Sequence, residues 1–272
     1  MAPGVLVVGH ASSLAQPGRG DVHSTFRRAV NLRLGPELWT LLARDGDDLP
    51  FGVRLDLQDD LPTRLGVRRG DSVAQRAGRL RVGSVVLDLR TSRRWLPPPV
   101  PAAAPGLLAR LDRARAIVRE RAWAGAAPHA GLVVAALDDR VALARVVPRV
   151  VGAGPGLTPA GDDVLVGVLA ALGAVDDPGA AGRRRRLVDA LEPHLRGTTE
   201  VSAHLLRQAS RGLIGAAAHR LRSVLLVGST PADVDAAVAR VLAVGATSGA
   251  DAATGLLAGL PISFRLTERA AA

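Results

Sequence analysis

The stretch "WLPPPVPAAAPG", Trp95 to Gly106, divides the chain. Its prolines lack backbone donors and fix φ, so it reads as an extended linker that neither a sheet nor a helix absorbs. On its N-terminal side, "VLVVG", "FGVRLDL" and "GSVVLDL" are short, β-branched and bounded by Gly, Pro and Asp, the pattern of strands and turns. "HSTFRRAVNLRL", His23 to Leu34, is readable as strand or helix. On the C-terminal side the period lengthens. "LLARLDRARAIVRERAW" sets Leu107, Leu111, Ala114, Ile117 and Val118 on one helical face. "DDRVALARVVPRVVG" predicts a shorter helix that Pro148 ends or kinks. Further helices are expected at 159–175, 184–196, 200–211, 216–226, 231–244 and 248–260, and "ISFRL" near the end as a last strand. Pro231 after "GST" is a cap followed by a first-turn proline. The expectation is an α+β chain: a β-rich N-terminal domain, residues 1–100, followed by a mainly helical domain, residues 101–272.

Composition narrows the function classes. The 272 residues are 48% hydrophobic and 22% charged, a globular balance with enough length for a substantial core. The longest apolar candidate, Val164 to Val175, is fenced by aspartates and falls short of a bilayer span of roughly 18–20 residues. The N-terminus has no basic start and only "VLVV" as its apolar stretch, so a cytoplasmic protein is expected, with no membrane partner. Cysteine is absent, which excludes disulfides, thiolate nucleophiles and Cys-based metal sites. The net charge of +10 invites a nucleic-acid reading. Aromatics, however, make up only 2%, too few to stack bases, and nucleic acid is not the expected partner. Arg183 to Arg186 reads as a solvated helix start. The six histidines, His10, His23, His129, His194, His204 and His219, show no metal spacing; His23, beside Ser24, is the one of interest. No Gly-x-Ser-x-Gly elbow supports a hydrolase triad.

The chemistry concentrates in "GAGPGLTPAGDDVLVGVLAAL", Gly152 to Leu172. Thr158 as N-cap, Pro159 as first helical residue and acids in the first turn account for part of it. Gly152, Gly154 and Gly156 remain; glycines permit close backbone approach, and N–H groups at a helix start attract anions. Asp162 and Asp163, adjacent on a helix, point about 100° apart, so one can face a site while the other is held structurally. Two roles compete for that carboxylate: holding Mg²⁺ that bridges to an anion, or accepting a proton or hydrogen bond from an amide or amine. "TTEVSAHLLRQASRG" adds Thr199, read as cap or ligand hydroxyl, and Ser202 on the inward face. In "GATSGADAATG", Ser248-x-x-Asp251 resembles a capping box. "DVLVGVLAAL" (163–172) also echoes "DAATGLLAGL" (251–260), with Gly167 and Gly255 each one helical turn beyond an aspartate. A mid-helix glycine costs about 1 kcal/mol against alanine, so both are expected to permit close helix contact, with the two helix starts side by side.

Three blocks, "GPGLTPAGDD", "TTEVSAHLLRQASRG" and "GATSGADAATGLLAGL", in that order resemble the AllH family, and "HSTFRRAVNL" is similar to that family's N-terminal segment. The resemblance implies a subunit of oxamate carbamoyltransferase, which makes carbamoyl phosphate and oxamate from oxalurate and phosphate at the end of allantoin degradation, with partner subunits of the FdrA type. Combined with the residues, it points to Asp162 and Asp163 as catalytic. Gly154, Gly156, Thr158, Thr199, Ser202, Ser248 and Asp251 would bind a small anionic substrate. The alternative is a non-catalytic ligand-binding or regulatory subunit of a purine or allantoin-degradation complex.

Overall fold

The computed structural model describes residues 7–11 and 17–264. The architecture is α+β, and the chain divides into two compact units, Met1–Pro97 and Pro98–Ala272.

The first unit is a nine-stranded sheet with one short helix. Its elements are β1 (Val7–Ala11), β2 (Gly18–Phe26), β3 (Ala29–Leu34), β4 (Glu37–Leu42), β5 (Gly52–Leu55), α1 (Leu61–Leu65), β6 (Ser72–Arg76), β7 (Arg79–Val82), β8 (Val85–Asp88) and β9 (Arg93–Trp95). The strand order is β8-β7-β6-β2-β3-β4-β5-β1-β9, antiparallel except for β4 with β5 and β1 with β9. The ambiguous stretch after His23 is a hairpin: Phe26 pairs with Ala29, and β2 runs back along β3. Val22, Val30, Leu32, Leu41, Val53, Leu55, Leu80 and Leu87 are fully buried, and α1 adds Leu61 and Leu65. His23 has a structural surrounding. Its Nδ1 meets Ser24 Oγ at 3.0 Å, Asn31 Nδ2 donates to the same hydroxyl, and Thr40 Oγ1 donates to Asn31 Oδ1 at 2.8 Å. Such a string satisfies polar groups inside a sheet face that must otherwise be apolar.

The second unit is helical: α2 (Leu107–Arg119), α3 (Ala126–Ala136), α4 (Arg140–Val150), α5 (Ala160–Leu172), α6 (Pro178–Leu191), a 3-10 turn (Glu192–Gly197), α7 (Glu200–Ser210), α8 (Ala216–Leu226), α9 (Pro231–Leu242) and α10 (Ser248–Ser263). Beyond Asp162 and Asp163 the α5 helix is apolar all round, and it buries every residue except Val166, as a helix at the centre of a bundle must. It runs parallel to α10. A Cβ on Gly167 would stand 1.9 Å from Ala252 O, and one on Gly255 would stand 2.0 Å from Val164 O. Farther along, a Cβ on Gly259 would stand 2.7 Å from Ala171 Cβ, and Ser263 Oγ donates to Ala171 O. The expected close contact at the two glycines is therefore present, and it is reciprocal.

Several sequence expectations change. The predicted last strand is wrong over its first half: Ile262 and Ser263 continue α10 through Pro261, because Leu260 and Ser263 stay buried against the bundle. Arg265 and Leu266 lie outside the described residues. Pro148 does not end α4, which reaches Val150. The α6 helix starts at Pro178, capped by Asp177, so the arginine run lies inside it. Nor is that run simply solvated. Arg183 and Arg186 both bind Asp138, and Arg186 Nε donates to Leu137 O at 2.9 Å. The α3 helix went unpredicted: "AAPHAGLVVAA" has no charge to mark a polar face, and Pro128 sits in its first turn, where proline is tolerated. Thr230 and Asp233 form a full capping box at the start of α9. No described helix is long and apolar enough to cross a membrane.

Candidate functional site

The starts of α5, α7 and α10 meet around three buried carboxyl groups. Asp162, Asp163 and Asp251 are 1%, 6% and 0% exposed, which for aspartate requires either satisfied hydrogen bonds or loss of the charge. The α5 helix does not begin as predicted. Pro159, not Thr158, occupies the N-cap position, and no side chain caps the helix. Backbone supplies the cap instead: Gly161 N donates to Ala153 O at 2.8 Å, and Asp162 N to Pro159 O at 2.9 Å. The Thr158 hydroxyl is thereby released and meets Ser248 Oγ at 2.7 Å, joining the two helix starts.

Asp162 and Asp163 face different sides, as their angular separation on a helix demands. Asp162 turns toward the glycine loop and α7. It accepts from Gly152 N at 2.9 Å and from the Thr198 hydroxyl. Burial pushes its carboxyl up from the ordinary aspartate range, while Thr198, Gly152 and the more distant Ser202 hydroxyl pull it down. Gly152 must be glycine here: its φ is +73°, and a Cβ would lie 2.7 Å from Gly197 O. Asp163 turns toward α10. Burial pushes its carboxyl up to about 8; the hydroxyls of Ser248 and Thr158 oppose this, and the charges of Asp251 and Asp162 reinforce it. At neutral pH this side chain is mostly a neutral acid.

Asp251 accepts from Trp123 N at 2.7 Å. Burial raises its carboxyl too, against the Trp123 N–H and the Thr247 hydroxyl. The expected capping box at Ser248 does not form, since Ser248 already lies inside α10 and its hydroxyl is turned to Thr158. Thr199 is the true cap of α7, accepting from Ser202 N and donating to Leu157 O at 2.8 Å. Ser202 is 1% exposed and its hydroxyl closes no hydrogen bond of ordinary length. Gly154 and Gly156 lie on the exposed side of the loop at φ +92° and +105°.

The structure thus brings Thr158, Asp163, Ser248 and Asp251 to one side of the α5 start. Asp162, Ser202 and Thr199 lie on the other, toward the start of α7. Sequence reasoning missed Trp123 and took Thr198 only as a candidate cap and Thr247 only as a turn residue with a candidate ligand-facing amide; the three hold the carboxyls through one backbone N–H and two hydroxyls. Thr198 carried a faint signal as the first of two threonines before a helix; Trp123 carried none beyond the scarcity of tryptophan. Two oxygens are conspicuous. Asp163 Oδ2 and Asp251 Oδ2 are buried and have no hydrogen-bond partner among the described residues. An unmet buried carboxyl oxygen costs roughly 1–3 kcal/mol, so these two stand out from the satisfied groups around them. Among the described residues, no group of three or more His, Cys, Asp or Glu side chains is spaced to hold a metal ion.

Known families match both parts of the chain. No solved structure matches the chain. The family model described as oxamate carbamoyltransferase subunit AllH matches residues 150–260, the span from the end of α4 through Asp251 and most of α10. The AllH family N-terminal domain matches residues 6–94, which is nearly the whole of the sheet unit. With both parts matched in order, the chain belongs to the AllH family.

Proposed function

We propose that this chain is a subunit of a carbamoyltransferase-type enzyme of allantoin degradation, acting in the cytoplasm with partner subunits of the FdrA type on oxalurate, oxamate and carbamoyl phosphate. The supporting observation is the pair of buried, unpartnered carboxyl oxygens on Asp163 and Asp251 at adjoining helix starts. No cation contributes to the raised Asp163 carboxyl; the charges that act on it are those of Asp251 and Asp162. That environment suits the amide end of a carbamoyl or oxamate group, whose N–H and C=O groups can meet carboxyl oxygens and a carboxyl proton. In the reaction, a phosphate oxygen attacks the carbamoyl carbon, the bond from that carbon to the oxamate nitrogen breaks, and the nitrogen needs a proton. Protonated Asp163 supplies that proton, with its carboxyl raised toward the working pH as a general acid requires. Asp162 sets the loop through Gly152. Gly154, Gly156 and Thr158 face the anionic end of the ligand, while Thr199 and Ser202 on α7 and Ser248 and Asp251 on α10 close the site.

The test is phosphorolysis of oxalurate by the chain co-purified with FdrA-type subunits, beside Asp163→Asn. Asparagine keeps the shape and removes the transferable proton. A fall in turnover of about a hundredfold or more, with substrate binding retained, supports the general-acid role. Undiminished turnover rejects it. Binding of oxamate by the chain, with no dependence of turnover on Asp162 or Asp163, would instead favour a ligand-sensing subunit.

A further inference from the structure

A separate cleft lies beside Trp123. The C-terminal part of α2, the start of α3 and the middle of α10 enclose a cleft of about 370 Å³, within the range of small-molecule sites. Its walls are mostly apolar, including Val118, Ala127 and Leu257, with Trp123 at its side and Arg115 and Arg119 among its lining residues. Among the described residues, no acidic side chain lines it. Arg115 is fixed in place, donating to Leu257 O at 3.0 Å and to Asp112 at 3.1 Å. Arg119 is exposed at the last turn of α2. The indole of Trp123 is stacked on the His129 ring, with centroids 5.3 Å apart and planes 16° apart, so the aromatic wall is held in one orientation.

We infer that this cleft binds a small planar carboxylate, its flat body against the Trp123 indole and the small apolar side chains, its carboxylate on the Arg119 guanidinium. An aromatic wall favours a flat ligand through offset stacking. A guanidinium presents a planar fork that matches a carboxylate in two parallel hydrogen bonds, geometry an ammonium would not supply. With Arg115 paired to Asp112, Arg119 is the guanidinium left to meet an anion at this lining, in contrast with the acidic cluster around Asp251 only a few residues along α10. The cleft is thus chemically distinct from the carboxyl site and does not depend on the role given to it.

The chain carries its own reporter. Trp39 and Trp95 are buried at 5% and 8% exposure in the sheet unit, and Trp123 is the third and last tryptophan. The experiment titrates intrinsic fluorescence with nicotinate as the planar carboxylate and with nicotinamide as its uncharged counterpart. The expected result is saturable quenching by nicotinate, weaker by about tenfold or more for nicotinamide and in Arg119→Ala, whose exposed position leaves folding unaffected. In Trp123→Phe the optical signal is expected to vanish while equilibrium dialysis still detects binding. Absence of saturable quenching, equal affinity for the two probes, undiminished binding in Arg119→Ala, or quenching that persists in Trp123→Phe would each overturn the assignment.

Discussion

The starts of α5 and α10 share one framework and are finished in opposite ways. Each has a glycine two residues before its aspartate, Gly161 and Gly249, and a second four residues after it, Gly167 and Gly255. The first pair packs against the end of the preceding helix: a Cβ would lie 2.1 Å from Val150 O in one case and 1.8 Å from Val241 O in the other. The second pair packs α5 and α10 against each other. What differs is the approach. Nine residues, 151–159, lead from α4 into α5, with Gly152, Gly154 and Gly156 all at positive φ; five residues, 243–247, lead from α9 into α10, with Gly245 alone. Only α5 adds a further aspartate, Asp162, to hold its longer loop. The repeated part sets how α5 and α10 pack, and the loop before α5 is the part that is not repeated. Two parallel helix starts also place their positive dipole ends together, about half an elementary charge each.

The strongest way to break this comparison is at the shared glycines. Gly167→Ala and Gly255→Ala each force a methyl group into a backbone carbonyl of the opposite helix. Overpacking against backbone that cannot swing aside is expected to cost about 3 kcal/mol in each variant, read as a shift of the denaturant midpoint at unchanged slope. Similar losses at the two positions would confirm a reciprocal contact. A loss at one alone would show that the echo in sequence is not an echo in packing.

Next in size is the pH dependence that separates the carboxyl site from the buried histidines. Asp163 has its carboxyl raised from 3.8 to about 8, so between those values the folded chain holds a proton that the unfolded chain has released. Stability must then fall as pH rises through that interval. His204 acts in the opposite sense. Burial, then the charges of Arg207 and Arg211, lower it from 6.5 to about 4, so its contribution is lost as pH falls through that range. Above pH 6.5 the histidine adds no further change, and replacing Asp163 alone separates its share of the slope from those of the raised Asp162 and Asp251 carboxyls. Between pH 6.5 and 8 the wild-type chain is expected to lose about 2 kcal/mol that Asp163→Asn does not lose. A parallel decline in both chains would mean that Asp163 is ionised in the fold and that its neighbours hold it as a carboxylate.

Legibility in the sequence followed the same division between scaffold and finish. Helices with a strong apolar period, such as α2 and α8, were readable because burial and spacing coincide in them. The α3 helix was not, because a charge-free segment of alanine, glycine and valine has no polar face to set its period. Asp162, Asp163 and Asp251 were readable as site candidates because adjacent or repeated carboxylates in an apolar run demand a reason. Their partners were not readable. Trp123 N–H reaches Asp251 across 128 positions, and Thr198 reaches Asp162 across 36, distances no local pattern encodes. The capping expectations at Thr158 and Ser248 failed for one shared reason: each hydroxyl found a better partner in the other than in its own helix.

That exchange of partners supplies the smallest and most discriminating effect. Thr158→Val and Ser248→Ala each remove one hydroxyl of a 2.7 Å contact between positions 90 residues apart. Each should cost about 1 kcal/mol, and the double variant should cost less than the sum, leaving a coupling of up to about 1 kcal/mol in a double-mutant cycle. If the two threonine- and serine-bearing turns merely capped their own helices, the costs would add. The same pair has a second readout. Both hydroxyls lower the Asp163 carboxyl, so their removal must push it further up and move the decline in stability to higher pH. A coupling energy without that displacement would leave the hydroxyls tying α5 to α10 while facing away from Asp163; both together would make them part of its immediate environment.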